Sequence, residues 1–221
     1  MVREFDWKGA ERDFKRAIEL SPSYADAYDM YGRLCSALER YDEALSLLRR
    51  AQELDPLAHR IDIATLLIRA GRYGEAVARA RDAADIDPSH ARAWATYGWA
   101  LFLSGQRQNG LTALERAVSV SADNSLWLAQ LGEAYGLNGD MLKARDILRK
   151  IKALSRTTFV SPYQYVYVYT GLGEHDRALD FLERAVSERG GPAYAIKGSF
   201  LLKPLREHPR FQKLLAEIGL G

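Results

Sequence analysis

Apolar residues recur along this chain at intervals of three and four positions, the spacing that places them on one face of an α-helix. Between residues 44 and 54, for example, Ala44, Leu48, Ala51 and Leu54 belong to one such stripe. Stripes of this kind follow one another along most of the chain, separated by short Gly- or Pro-containing breaks that are typical of helix ends. The pattern therefore predicts an all-α protein.

The helical pattern returns about every 34 residues. AIELSP, AQELDP and AADIDP end at Pro22, Pro56 and Pro88, which are 34 and 32 residues apart. Four glycines follow at intervals of 34, namely Gly71, Gly105, Gly139 and Gly173. A repeat of this length is typical of helix pairs that stack on their neighbours in sequence.

Each repeat also carries a small residue followed, four positions later, by one that is large in all repeats but one. These pairs are Ala10/Phe14, Ala44/Leu48, Ala76/Ala80, Gly110/Leu114, Ala144/Leu148 and Ala178/Leu182. With Trp94, Tyr97 and Gly98 on a preceding helix, the pattern resembles the tetratricopeptide family. The resemblance implies a right-handed superhelical solenoid of helix-turn-helix repeats with a capping helix at its C-terminal end.

With the repeats aligned in this register, the chain is predicted to be one domain over residues 1–221. It divides into a half repeat with a second helix only, five repeats and a cap, at 5–22, 23–56, 57–88, 89–122, 123–156, 157–190 and 191–221. The third repeat is two residues short, so we expect an abbreviated first helix there. A half repeat lacks the helix that would cover it, so we expect Phe5, Trp7, Phe14 and Ile18 to be partly exposed or buried by another copy in a homo-oligomer.

The segment YQYVYVYTG (163–171) is rich in Tyr and Val, and its composition alone favours a strand. The repeat phase favours a helix instead, because Gly173 follows Gly139 by 34 residues. Ser161 and Pro162 also stand where a helix cap and a first-turn proline belong. We therefore expect a helix.

The charge balance argues against nucleic acid as a partner. The chain has 31 Lys+Arg and 29 Asp+Glu, a formal net charge of +2, and the basic residues are scattered. No apolar stretch is long enough for membrane insertion, and no signal peptide is recognisable. We expect a cytoplasmic protein, although a membrane span upstream in a longer chain would place the array outside the cytoplasm.

No catalytic, cofactor-binding or metal-binding constellation stands out. The single cysteine, Cys35, cannot form a disulfide framework or a cysteine metal site. His59, His90, His175 and His208 fall at different repeat phases, and we expect each to be a solvated side chain. We therefore predict no cofactor, no metal and no enzymatic activity.

The resemblance implies that the first helix of each repeat lines an inner groove that holds a peptide or a partner domain. The groove residues in this register are Met30, Arg33, Arg69, Arg92, Thr96, Trp99, Phe102, Gln130, Glu133, Tyr163, Gln164 and Tyr167. The Lys/Asn/Arg clamp with which some members hold a C-terminal carboxylate is absent. We expect the four aromatic members to form a partly exposed apolar stripe; packing inside the core is the alternative for each.

The C-terminal segment leaves the repeat pattern. Its run Pro204-Leu205-Arg206, Pro209-Arg210-Phe211 and Leu214-Leu215 resembles the end of repeat arrays in bacterial transcription regulators, Ser/Thr kinases and nucleotide cyclases. The main prediction is a protein-interaction module or scaffold for a protein or peptide partner. The alternative is a regulatory or sensor segment of a larger bacterial signalling protein that acts on its own effector domain.

Overall fold

The computed structural model describes residues 6–56, 59–188 and 196–221. These residues form twelve α-helices and one 3-10 helix. In chain order the α-helices are α1 (Trp7–Leu20), α2 (Ala25–Ala37), α3 (Tyr41–Leu54), α4 (Arg60–Arg69), α5 (Tyr73–Ile86), α6 (Ala91–Leu103), α7 (Arg107–Val120), α8 (Ser125–Leu137), α9 (Met141–Leu154), α10 (Pro162–Gly171), α11 (His175–Ser187) and α12 (Pro209–Glu217). The 3-10 helix spans Phe200–Leu205, between α11 and α12.

Consecutive helices pack as pairs, and each pair packs on the next. We call the first helices of the pairs (α2, α4, α6, α8 and α10) the A helices, and their partners (α3, α5, α7, α9 and α11) the B helices. The all-α solenoid predicted from the repeat is confirmed. The boundaries of the individual repeats and of the cap stay a prediction.

The segment 163–171 is helical, as the repeat phase predicts and its composition does not. Ser161 caps α10 because its hydroxyl accepts a hydrogen bond from the backbone N–H of Tyr163 at 3.3 Å, and Pro162 occupies the first turn. All residues of α10 except Gln164 are buried. Packing on both sides therefore overrides the strand preference of the Tyr and Val side chains.

The small residues of the repeat signature lie at the contacts between helices. Ala44, Ala76, Ala144 and Ala178 are fully buried, which lets neighbouring backbones approach closely. The large residues four positions later, such as Leu48 and Leu182, belong to the same continuous core. The residues that recur along the sequence are thus the ones that pack between neighbouring helices.

The turns between A and B helices repeat as well. Gly139 has a φ of +91°, a left-handed conformation that costs glycine little, and the other three periodic glycines share it. Glu39 holds the equivalent turn in the first full pair, with a φ of +62°. The third repeat is shortened in its A helix, since α4 has 10 residues where α2 has 13.

The C-terminal part of the chain turns back along the A helices instead of extending the stack. Phe200 contacts Trp99 of α6, and Arg206 forms an ion pair with Glu39 beyond α2. Near the C-terminus, the backbone carbonyl oxygen of Ile218 accepts a hydrogen bond from the indole N–H of Trp7 at 2.9 Å. The last helix therefore lies beside the first, and the two ends of the array meet.

The N-terminal half repeat is partly covered by the rest of the chain. Trp7, Phe14 and Ile18 are each partly buried, and Phe14 stacks on Tyr31 of α2. Trp7 gains its cover from the chain's own C-terminal end. Phe5 lies outside the described residues. Burial by a second copy in a homo-oligomer stays a prediction.

Candidate functional site

The A helices carry side chains at equivalent positions, 32 or 34 residues apart, which together form what we call the inner face. One row consists of Arg33, Thr65, Trp99, Glu133 and Tyr167. The adjacent row consists of Met30, Asp62, Thr96, Gln130 and Gln164. Along the array the first row passes from Arg33 and Thr65 to a stretch with two aromatic rings, and the second passes from Met30 and Asp62 to a threonine and two amides. The inner face therefore has two chemically different halves.

The aromatic half is closed. Trp99 is 2% exposed, its ring meets Phe102 edge-on at a centroid distance of 5.6 Å, and its N–H donates to Gln130 Oε1 at 3.0 Å. Tyr163 and Tyr167 are also buried and pack against each other at 5.1 Å. The prediction of a partly exposed aromatic stripe is therefore wrong. These rings pack into the core and, for Trp99, against the chain's own C-terminal segment.

Glu133 stands in the middle of this closed half. Its side chain is fully buried, and neither carboxylate oxygen has a hydrogen-bond partner. Burial raises the pKa of this carboxyl well above its ordinary value, because desolvation disfavours the charged form. The predicted groove residue Thr96 is buried too, and its hydroxyl donates to the carbonyl of Arg92 in its own helix. Gln164 is half-buried.

The charged half of the inner face is open. Met30 is 47% exposed, and the side chains of Arg33 and Arg92 are 37% and 38% exposed. A pocket of about 80 Å³ brings three arginines from three A helices together. It is lined by Arg33, Ser36, Leu48, Asp62, Thr65, Leu66, Arg69 and Arg92. Of the predicted groove residues, the structure thus gathers Arg33, Arg69 and Arg92 at one accessible point.

Two aspartates hold the guanidinium groups of this pocket in place. Arg33 contacts Asp29 at 2.7 Å and Asp62 at 3.2 Å, and Arg92 pairs with Asp62 from the opposite side. Arg69 donates to the Ser36 hydroxyl at 3.1 Å. The charged residues that line the pocket are thus three arginines and one aspartate, so its lining carries more positive than negative charge.

His59 lies under this network rather than in solvent. Its side chain is 8% exposed, and its Nδ1 is 3.4 Å from Asp29 Oδ1, so the expectation of a solvated histidine is wrong for this residue. His59 precedes α4 with a φ of +49°, which turns the ring inward against α2. Burial and the neighbouring Asp62 raise the pKa of Asp29.

The ligand atoms of Asp29, His59 and Asp62 lie within 4.8 Å of one another, a spacing that would suit a metal ion. Arg33 and Arg92 already contact these carboxylates, however, and a divalent cation would have to sit beside two guanidinium charges. The cluster is therefore better explained as an ion-pair network that orients the pocket arginines.

Two parts of this site escape sequence reasoning. The first is the ion pairing: Asp29 precedes Arg33 by four positions on α2, a spacing that favours a pair, whereas nothing in the sequence links Asp62 to Arg33 or Arg92. The C-terminal residues that cover the aromatic half follow no repeat phase at all. Their apolar spacing predicts a cap but not its path along the A helices.

None of the described helices combines the length and the apolar character that crossing a bilayer requires. Comparison with known families gives two matches, both to models described as tetratricopeptide repeat, over residues 1–66 and 61–106.

One curated relative is anaphase-promoting complex subunit 3 of Schizosaccharomyces pombe. The two sequences are 24% identical over 169 residues, which is 76% of this chain and 21% of that protein. The chain thus spans about a fifth of the length of the curated relative that it matches.

Several solved structures share the fold. PilW, a widely conserved type IV pilus biogenesis factor, has a TM-score of 0.61 at 16% identity, with 95% of this chain and 91% of that chain covered. A thermophilic TPR protein of Thermus thermophilus has a TM-score of 0.60 at 20% identity, with 80% and 98% covered. MamA 41-end from Desulfovibrio magneticus RS-1 has a TM-score of 0.56 at 19% identity, with 71% and 89% covered. At these identities the likeness is one of fold.

Proposed function

Because this chain belongs to the tetratricopeptide repeat family, we propose that it is a protein-interaction module that binds a segment of another polypeptide on its inner face. The observation that carries the proposal is the open pocket between Arg33, Arg69 and Arg92. It lies on the A helices, and the positive balance around it favours an acidic side chain of the partner. The aromatic half of the inner face, in contrast, is already filled.

A binding role is favoured over a catalytic one by the state of the titratable groups around the pocket. Asp29, Asp62 and the arginines are engaged with one another, and such pairs orient a binding surface more readily than they transfer protons. We therefore propose no cofactor and no enzymatic reaction. Arg33, Arg69 and Arg92 contact the partner, and Met30 offers an exposed apolar contact beside them.

Thr65 provides a way to block the pocket without breaking an ion pair. It lines the pocket, and its hydroxyl donates to the carbonyl oxygen of Ile61 at 2.9 Å. Thr112 on α7 makes the same bond to Gln108 at 3.2 Å but is exposed on a B helix. Thr65→Tyr fills the pocket, and Thr112→Tyr is its matched control.

The experiment is a selection of peptides from a random displayed library on the wild-type chain, followed by calorimetric titration of the selected peptides. We expect peptides with at least one acidic residue, whose affinity falls at least tenfold on Thr65→Tyr and stays unchanged on Thr112→Tyr. Peptides that bind both variants equally, or a library that yields none, would contradict the proposal.

The resemblance of residues 204–215 to the ends of signalling arrays supports a second candidate function, a regulatory segment of a larger protein. In that case the bound partner is an effector domain of the same gene product. Sequencing the flanking coding region tests this directly, since a kinase, cyclase or DNA-binding domain must lie next to the array. Its activity should then change when Thr65→Tyr is introduced.

A further inference from the structure

The C-terminal segment from 196 to 206, which we call the inner segment, lies on the A helices as a bound peptide would. Gly198 packs on the end of α2, where an added Cβ would stand 2.7 Å from the carbonyl oxygen of Ser36. Two residues later the ring of Phe200 meets Trp99 of α6 edge-on at a centroid distance of 5.7 Å. The segment thus reaches helices that are distant from it in sequence.

The remaining contacts of the inner segment are apolar, with one charge at the end. Leu202 and Leu205 of the 3-10 helix are completely buried, and this helix packs against α10. Arg206 Nη1 is 3.3 Å from Glu39 Oε1, at the turn between α2 and α3. The inner face accordingly accepts a glycine, an aromatic ring, two leucines and a basic group in this order.

We propose that the aromatic half of the inner face binds a partner segment of this same chemistry, and that the inner segment is an intramolecular competitor for it. The partner offers a glycine, a Phe two positions later, leucines at the second and fifth positions after the Phe, and a basic residue at the sixth. This rests on the proposed function and extends it to the closed half.

The distribution of contacts supports exchange of the inner segment. Its hold on α2 and α6 consists of a glycine contact, a partly buried Phe200 and an ion pair whose side chains are about one-third exposed. A pair of that exposure contributes at most about 1 kcal/mol. The following helix α12 is anchored separately, since Arg210 contacts Asp180 and Glu183 of α11. Release of the inner segment exposes Leu202 and Leu205, whose places the leucines of a partner segment would take, while α12 keeps its own anchor on α11.

An attached competitor acts at a high effective concentration, so a free segment binds only weakly until the attached one is weakened. The probe is a fluorescent synthetic peptide with the sequence of residues 196–207, IKGSFLLKPLRE. It is titrated against the full chain by fluorescence anisotropy. In the Arg206→Glu chain the attached segment is repelled by Glu39, whereas the probe keeps its arginine.

We expect Arg206→Glu and Phe200→Ala to bind the probe at least tenfold more tightly than the wild-type chain. Lys203→Glu makes the same charge change at an exposed position of the segment and should bind like wild type. The double variant Glu39→Arg with Arg206→Glu restores the attached pair and should bind like wild type again.

Equal binding by all variants would overturn the proposal, as would loss of the helical circular dichroism signal in Phe200→Ala and Arg206→Glu. Hydrogen exchange of the wild-type chain gives an independent decision. Amides of residues 200–206 should exchange faster than those of α6, because the inner segment is released locally. If the amides of both segments exchange only when the whole protein unfolds, the proposal is overturned. If the weakened variants dimerise instead of binding the probe, the occupant is a second copy and the foreign partner is refuted.

Failure here is distinguishable from failure of the proposed function. Library peptides that depend on Thr65 report on the open pocket, and the 196–207 probe reports on the closed half. Library peptides can bind the open pocket even when the 196–207 probe does not bind the aromatic half.

Discussion

Gly136 of α8 and Gly171 of α10 bring two helix backbones into direct contact. A Cβ at position 136 would lie 2.2 Å from the carbonyl oxygen of Gly171. The same approach places Gly171 against the backbone of Glu133, where a Cβ at 171 would stand 2.6 Å from Cα. This contact fixes how α10 sits on α8 and thereby how deeply Glu133 is buried.

Gly136→Ala should therefore be strongly destabilising, because the obstacle is backbone and cannot rotate away. We expect a loss of about 3 kcal/mol in the free energy of unfolding, measured by urea denaturation. Gly139→Ala is the matched control three residues later. Its Cβ would meet nothing within 4 Å, so only the positive φ is penalised, at about 1 kcal/mol. Equal losses for the two variants would contradict this account.

Glu133 should give the protein a specific pH dependence. An unfolded glutamate titrates near its ordinary pKa of 4.5, and the folded pKa is higher. Above pH 4.5 the native state therefore binds a proton that the unfolded chain releases, and stability falls as pH rises, by at most about 1.4 kcal/mol per pH unit. Glu133→Gln should remove this slope and stabilise the protein at pH 7.

The measurement is the urea midpoint of both proteins at pH 5 and pH 7. Glu19→Gln, at an exposed position on α1, serves as the control and should keep the wild-type slope. A Glu133→Gln protein that is less stable than wild type at pH 7 would show that the carboxyl is ionised in the fold.

The bond from Trp7 to Ile218 should couple the two ends of the array. Trp7→Phe keeps the aromatic ring but removes the N–H donor, at a cost of about 1 kcal/mol. Hydrogen exchange should then accelerate in both α1 and α12. Trp94→Phe removes a comparable bond to the nearby carbonyl of Pro88 and should affect only its own turn. Acceleration confined to α1 in Trp7→Phe would refute the coupling.

Arg210 should hold α12 on α11 through a charge network. It lies 2.7 Å from Asp180 and 2.9 Å from Glu183. Arg210→Ala should cost about 1 kcal/mol at low ionic strength and less in 1 M NaCl, because salt screens exposed charges. Lys213→Ala, on the same helix with a single exposed partner at 3.8 Å, should change stability by less than about 0.5 kcal/mol. A loss that salt does not reduce would point to packing instead.

The fold follows from the sequence because every helix pair is encoded locally. The spacing of Ala44, Leu48 and Ala51 specifies a helix face, and its return in later repeats specifies what that face packs against. Even α10, whose Tyr and Val residues favour a strand, is predicted correctly once the repeat phase is weighed against composition. Local pattern and neighbour packing agree throughout the stack.

The site is less predictable because it depends on contacts between distant positions. Trp99 has the phase of a groove residue, but Phe200 covers it from outside the repeats. His59 looks like a turn residue, and only its left-handed backbone turns it beneath Asp29. The repeat phase predicts the arginines of the pocket, whereas nothing in the phase pairs Arg33 and Arg92 with Asp62 on the helix between them.

The hydrogen bond between Trp7 and Ile218 joins residues 211 positions apart. Stacked repeats ordinarily fold by propagation, since each contacts only its neighbours and the order of assembly hardly matters. Here the contact between Trp7 and Ile218 can form only after the whole stack is in place. Folding therefore includes the closure of a loop of nearly the entire chain, in addition to the local stacking of neighbouring repeats. The array should unfold as one cooperative unit in which neither end frays alone.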